Sequence, residues 1–327
     1  MADNIGFSQA KDRAFLYRKT REFFDSKGYL EVETPTLSPD LIPEPTIDCF
    51  ATAFINEFTG SRELYLVPSP EIFIKKLIAS GCGSVYEISK CFRNCEQLGS
   101  VHNPEFTMLE YYTVGQDEKY SIELTLEYLR SLAFADYERP SWLDNEPVVM
   151  SVKDAVLQYC ALDLEELQNP ALLRKTAVEK LGLHIPGPES WDDTFNRIFC
   201  TFVEPSIPTD RIVIFTDYPQ QIDCLAKRNG NWRRRWEMYI RGIEIANCYL
   251  EETDPEVVRS YYAKEQARLV EMRNSNGRPI PDADPSFADC FGSFPLCSGV
   301  AIGMDRLLMV LTGRKSIQET LLFPFEN

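Results

Sequence analysis

Histidine is scarce in this 327-residue sequence, which holds only His102 and His184. Two imidazoles cannot build a histidine-rich metal centre, and they form no convincing serine–histidine–carboxylate triad. Basic residues are outnumbered, 34 against 50 acidic ones, for a net charge of −16. That argues against a large nucleic-acid footprint, which needs clustered Lys and Arg opposite phosphates. Lys227, Arg228, Arg233, Arg234 and Arg235 supply one local basic patch. No apolar run reaches the ~18 residues of a membrane span. Met1 to Gly6 lacks the basic-then-apolar pattern of a secretion signal. The ten cysteines include no CxxC pair. A chain this long needs no disulfide staples, so free thiols and a cytoplasmic setting are expected.

Hydrophobic residues make up 44% and charged ones 26%, ordinary values for a core-burying globular chain. The apolar spacing predicts a first helix from Ser8 to Lys27, closed by Gly28. Tyr29 to Thr34 alternates like a strand and stops at Pro35. Leu64 to Val67 reads as a short strand. Ser69 suits an N-cap and Pro70 a first helical position, with a helix from Ile72 to Ser80. Val85 to Phe92 and Phe106 to Tyr112 read as strands joined by a polar loop. From about Gln116 to Thr209 the pattern is helical, an expected insertion on a single catalytic domain spanning residues 1–327. Val213 to Phe215, Trp236 to Ile240 and Ile243 to Leu250 return to strands, with Arg241-Gly242 as a hairpin turn. Asp254-Pro255 opens a long helix ending near Asn276-Gly277. Ser298 to Leu311 reads strand, glycine turn, helix. Hairpins imply antiparallel pairing. The expected class is α/β of the α+β type, without the strand–helix–strand rhythm of a doubly wound sheet.

Several polar residues fall on shared strand faces. Glu110 and Tyr112 are two apart, so both leave one face. A carboxylate beside a phenol suits an ammonium group, although an exposed sheet face would look the same. Asn247, Tyr249 and Glu251 repeat the theme. Glu237 and Glu244 flank the hairpin and could share a Mg²⁺ that keeps waters for phosphates; two solvated glutamates are the plainer alternative. Glu244 lies an odd number of positions from Asn247. Both face one side only if the strand bulges or bends between them. Arg93 and Arg306 offer forks for a carboxylate or phosphate, with Asp305-Arg306 alternatively a helix-start charge pair. The glycines of Ser298 to Gly303 allow close backbone approach to a ligand, but no Walker lysine follows.

These pieces resemble the three motifs of class II aminoacyl-tRNA synthetases. The residues that carry the resemblance are Gly28 to Leu37 (GYLEVETPTL), Phe92-Arg93 through His102-Asn103-Pro104-Glu105-Phe106-Thr107 to Tyr112, and Gly299 to Arg306. Glu110, Tyr112, Glu244 to Asn247, Glu251 and the ending Ser316 to Pro324 (SIQETLLFP) are similar to the lysyl branch. The catalytic pattern starts by residue 15, leaving no room for an anticodon-binding domain. The chain therefore looks like the truncated lysyl-synthetase paralogues that modify a lysine of translation elongation factor P. Ala246 and Ala301 stand where lysyl-tRNA synthetases have glycine, which fits a preference for (R)-β-lysine over lysine.

The resemblance implies the following roles. Ser69, Pro70 and Glu71 match the segment whose glutamate holds the substrate's backbone-type amino group, and Glu110, Tyr112 and Glu251 match the pocket for its side-chain ammonium, with Asn247 and Tyr249 as further substrate-side candidates from their strand face. Arg93 contacts the carboxylate and α-phosphate, and Arg306 the γ-phosphate. Glu96, His102, Asn103, Phe106, Ile245 and Gly303 lie on the ATP side, and Glu237 and Glu244 bind Mg²⁺–ATP. Three departures stand out. The family's Arg-Asn-Glu becomes Arg93-Asn94-Cys95-Glu96 in a loop one residue longer. Its Gly-Phe becomes Cys248-Tyr249, and the leucine after the pocket glutamate becomes Glu252. The resemblance further implies an antiparallel sheet of about six strands, a homodimer, and an ATP-dependent ligase that forms an aminoacyl-adenylate. Transfer to tRNA is the competing enzymatic reading, and an inactive paralogue serving as a binding module the non-enzymatic one.

Overall fold

A computed structural model describes residues 7–95, 98–132, 134, 136–273 and 277–325. Among them, strands and helices alternate irregularly. The strands are β1 (Leu30–Glu31), β2 (Leu37–Ser38), β3 (Phe50–Asn56), β4 (Gly60–Leu66), β5 (Val85–Phe92), β6 (Glu105–Val114), β7 (Val148–Ser151), β8 (Ile212–Pro219), β9 (Arg228–Asn229), β10 (Trp232–Ile240), β11 (Ile243–Leu250) and β12 (Cys297–Gly303). The helices are α1 (Phe7–Ser26), α2 (Glu71–Ala79), α3 (Glu118–Ser131), α4 (Val152–Cys160), α5 (Pro170–Leu181), α6 (Trp191–Ile198), α7 (Pro255–Arg273) and α8 (Met304–Thr312). The chain forms two compact units, one of residues 1–139 with 251–327 and one of residues 140–250. The expected helix end at Asn276 lies outside the described residues.

In the first unit β5, β6 and β12 pair antiparallel in that order, and β1 adds to β5 in parallel. A separate small sheet runs β2-β4-β3. Helix α1 ends as expected: Gly28 takes a positive φ of 77°, and Tyr29 N–H returns to the Phe24 carbonyl at 3.1 Å. Its buried face, Leu16, Thr20, Phe23 and Phe24, meets Tyr86, Tyr111 and Tyr128 in an aromatic core, with Phe24 stacked on Tyr86 at 5.0 Å. Strand β1 is much shorter than the alternation of Tyr29 to Thr34 predicts. Val32 N–H still bonds the Tyr86 carbonyl, but Thr34 N–H turns to the buried Glu87 carboxylate at 2.9 Å. A side chain has taken the place of the ladder.

Helix α2 begins one residue later than expected, at Glu71, with Pro70 in the cap position. Ser69 still serves the helix start, because its hydroxyl accepts the Glu71 N–H at 3.0 Å. Helix α3, within the stretch read as an insertion, belongs to the first unit, where it touches α1 and β12.

The second unit pairs β7 with β8 in parallel and β8, β10 and β11 antiparallel, with the short β9 beside β10. Helices α4, α5 and α6 start at Ser151, Asn169 and Ser190, whose side chains accept backbone N–H bonds. Val152, Val156, Leu173, Trp191, Phe195, Phe199 and Phe215 form its core. Helix α6 runs on into a π-helical turn, Phe199–Val203. Arg241 and Gly242 both take positive φ, 56° and 76°, the twist a two-residue hairpin demands.

Candidate functional site

In the first unit, strand register collects the polar residues on one face. Glu110 of β6 stands opposite Glu87 of β5 and Ala301 of β12, while Tyr112 stands opposite Gly299, and Met108 opposite Gly303. Directly paired residues share a face. The small residues of β12 therefore lie beside the carboxylate and phenol of β6. Gly299 is compelled: a Cβ there would come within 2.4 Å of Glu251 Oε1 and 2.5 Å of Tyr112 Cε1.

Glu110 is 3% exposed. Ser69 Oγ donates to its Oε1 at 2.5 Å and Tyr112 O–H to its Oε2 at 3.3 Å. Burial, reinforced by the negative charge of Glu71, pushes the Glu110 carboxyl up to about 8. Glu251 follows β11 and is pinned when its N–H bonds the Cys297 carbonyl at 2.9 Å. Burial raises its carboxyl too, opposed by Lys75.

Lys75 was not among the expected site residues. It is fully buried on α2, paired with Glu71 one turn earlier and with Glu251 Oε2 at 2.7 Å. Burial alone would lower its ammonium's pKa, but Glu251 and Glu71 outweigh that and hold it charged. The Glu71–Lys75 spacing of four is visible in the sequence and places both on one helix face; its burial is not.

The expected nucleotide-side residues of this unit also cluster. Arg93 follows β5, donates its N–H to the Pro104 carbonyl at 2.9 Å, and lays its guanidinium over Phe106 at 5.2 Å. Its Nε is buried with no hydrogen-bond partner. Asn103 Nδ2 donates to the Glu105 carbonyl at 2.6 Å, leaving Oδ1 buried and unbonded. A buried orphan donor on an arginine fits an anionic ligand, since an unmet polar group is costly. The His102 carbonyl accepts from Gln318 at 3.4 Å. Arg306, at the start of α8 after Gly303, donates Nε–H to the Val101 carbonyl at 3.0 Å. Asp305 is not its charge partner here. Asp305 is buried, pairs with Arg13 at 2.7 Å and accepts the Thr107 N–H at 2.7 Å, tying α8 to α1 and β6. Glu96 lies outside the described residues.

The second unit resolves the parity conflict of β11. Glu237 pairs with Asn247 and Met238 with Ala246, but Tyr239 pairs with Glu244, so Ile245 is the extra residue of a bulge. Glu237, Tyr239, Asn247 and Glu244 thereby share one face. Glu237 is surrounded by donors: Arg235, Tyr218 O–H at 2.6 Å and Tyr239 O–H at 2.8 Å. The Arg235 guanidinium also lies 4.6 Å from the Tyr218 ring and 5.3 Å from the Tyr249 ring. Ile245 and Ala246 are both buried. Two carboxylates on one face match the donor set of a Mg²⁺ that keeps phosphate oxygens and water as its other ligands. Among the described residues no group of three or more His, Cys, Asp or Glu is placed to hold a metal. Arg235, Tyr218 and Tyr239 were missed by sequence reasoning, although Arg235 and Tyr239 lie two positions either side of Glu237 and so share its face.

No described helix is long and apolar enough to cross a membrane. The family model for tRNA synthetases class II (D, K and N) matches residues 7–327. An elongation factor P–(R)-beta-lysine ligase of Vibrio vulnificus is 34% identical over 326 residues, 97% of this chain and 95% of that protein. The ligase of the same name from Hamiltonella defensa is 32% identical over 325 residues, 96% of this chain and 94% of its own. A lysine–tRNA ligase of Pelotomaculum thermopropionicum is 33% identical over 332 residues, 95% of this chain but 62% of that protein.

Proposed function

Because the chain belongs to the class II tRNA synthetases of the D, K and N group, we propose that it is an ATP-dependent ligase joining a lysine-type amino acid to elongation factor P. The name shared by the two relatives matched over nearly their full length supports that acceptor. The observation that carries the amino-acid class is the cluster of Glu71, Glu110 and Glu251 around one lysine. Its carboxylates exceed its cations, which suits a ligand bearing two ammonium groups.

Two steps follow. The amino acid's carboxylate attacks the α-phosphorus of ATP, the bond from that phosphorus to the bridging oxygen breaks, and pyrophosphate leaves with its electron pair. The ε-amine of the acceptor lysine then attacks the acyl carbon of the adenylate, AMP departs, and an amide forms. Arg93, with its free Nε–H, meets the carboxylate and α-phosphate, and Arg306 the terminal phosphate, so charge is met by fixed donors as the phosphoryl group transfers. Phe106, Asn103, His102 and Gly303 serve the adenine and ribose side. Ser69, Pro70 and Glu71 receive the backbone-type amino group, and Glu110, Tyr112 and Glu251 the side-chain ammonium, with Ala301 beside them. In the second unit Glu237 and Glu244 would hold Mg²⁺, which supplies charge neutralisation of the triphosphate. Ile245, Ala246, Asn247 and Tyr249 line the same strand. The protein works as a homodimer built on α1 and the strand before Pro35, since such two-fold contacts are self-complementary. A monomer by sedimentation at micromolar concentration would remove that part of the reading.

Pyrophosphate exchange with lysine and with (R)-β-lysine, followed by transfer of the labelled amino acid to elongation factor P or to tRNA, tests the proposal. Exchange with at least one of the two and label on elongation factor P are expected. Label on tRNA alone would make the protein a tRNA ligase, and no exchange would make it a binding module.

A further inference from the structure

The fully buried Lys75 has no part in the chemistry above, yet it touches two of the carboxylates that define the pocket. Resting on the amino-acid specificity just argued, we propose that Lys75 is a positioning residue. Its ammonium holds one oxygen of Glu71 and one of Glu251, so that the other oxygen of each is presented to the ammonium groups of the amino acid.

The geometry assigns the two oxygens of Glu251 to different neighbours. Oε2 lies 2.7 Å from Lys75 Nζ. Oε1 is the atom that a side chain on Gly299 would strike, and so it points to the face bearing Tyr112. That face also carries Glu110 and Ala301. Among the described residues, Lys75 is the partner that distinguishes these two orientations. Glu71 is held in the same way by its Oε1, across one helical turn.

Charge counting leads to the same place. Glu71, Glu110 and Glu251 carry three negative charges when ionised, and Lys75 returns one. The remaining two match a diammonium ligand whose carboxylate is met by Arg93. Removing Lys75 would leave the acids to relieve their repulsion by taking up protons, the form that cannot bind an ammonium. The titratable groups facing the pair are Glu110 and Tyr112 from β6, Glu252 beside Glu251, Cys297 from β12 and Tyr262 from α7. Lys75 is the cation among them. A buried ion pair kept only for stability is weak as an explanation, because apolar residues of equal size often serve as well.

Pyrophosphate exchange by wild type, Lys75→Met and Lys75→Arg separates the roles. In Lys75→Met the KM for lysine or (R)-β-lysine should rise by about 30-fold or more, as when a buried charge loses its partner. The KM for ATP should stay within about twofold, and the acid limb of kcat/KM for the amino acid should move about one pH unit upward. Lys75→Arg, which keeps the charge, should restore the limb. A folded Lys75→Met with unchanged amino-acid KM and limb overturns the proposal, as does a parallel rise in both KM values. Calorimetry of lysine binding to the wild type in buffers of different ionisation enthalpy needs no variant to fold. With Lys75 paired to Glu251, fewer than one proton should be released at pH 8, and release of more than one refutes the role. If the wild type supports no exchange with either amino acid, the specificity argued above fails instead.

Discussion

The carboxylates of the two units are met in opposite ways. Glu237 in the second unit receives an arginine and two phenol hydroxyls, so its charge and orientation are set by the protein alone. In the first unit Glu71 and Glu251 share a single lysine, while among the described residues the side-chain donors to Glu110 are hydroxyls. Burial without a cation of its own is why Glu110 rises to about 8. Glu237 has a cation of its own before any ligand arrives, whereas among the described residues Glu110 has none. That shortage marks where a cationic ligand belongs, a sharper signal than the number of acidic residues.

The comparison breaks most severely where the shared lysine loses a partner. Glu251→Ala leaves Lys75 with one carboxylate and removes a ligand contact. The cost should be about 2–5 kcal/mol in amino-acid activation, with a lower melting temperature besides. If this variant exchanges pyrophosphate as well as the wild type, the acid-rich pocket is not the amino-acid site.

A smaller effect should follow from the wall opposite Glu110. Ala301 sits between Gly299 and Gly303 on β12, directly across from Glu110. Ala301→Gly removes one methyl from the space beside the substrate's α-carbon and should shift preference toward α-lysine by about ten- to a hundredfold. Exchange rates for both isomers in both proteins decide it, and an unchanged ratio removes Ala301 as a selectivity determinant.

The mildest test is pH. The Glu110 carboxyl, at about 8, is protonated over much of the neutral range, and a proton must leave before an ammonium can pair with it. Binding therefore releases a proton below that value. Affinity rises with pH and levels off above it. The amino-acid KM should fall by up to about tenfold per unit between roughly pH 6 and 8. A flat profile would place the substrate ammonium away from Glu110. Glu110→Gln should flatten it deliberately.

Much of the local structure is legible in the sequence. Val85–Phe92 and Ile243–Leu250 are strands to the residue, and Arg241-Gly242 is the turn between β10 and β11. Periodicity and turn chemistry act over a few residues, so the local sequence carries them. The spaced motifs likewise pointed to Arg93, Glu110, Glu251 and Arg306 as candidates, because each motif is a run of neighbours in sequence. The strand β7 was missed, since four residues leading into an N-cap are too few to show a period.

What only the tertiary structure decided depends on partners distant in the chain. The alternation of Tyr29 to Thr34 could not reveal that Thr34 N–H would leave the ladder for Glu87, 53 positions away. The odd spacing of Glu244 and Asn247 posed the question of a bulge, but the pairing of β10 with β11 answered it. The spacing of Glu71 and Lys75 by itself implies no more than an ordinary helical ion pair. The proposed role of Lys75 rests on burial and on Glu251, far along the chain, and sequence spacing encodes neither of these. Local chemistry fixed which residues could bind, and long-range packing fixed which charges were left unbalanced when they did.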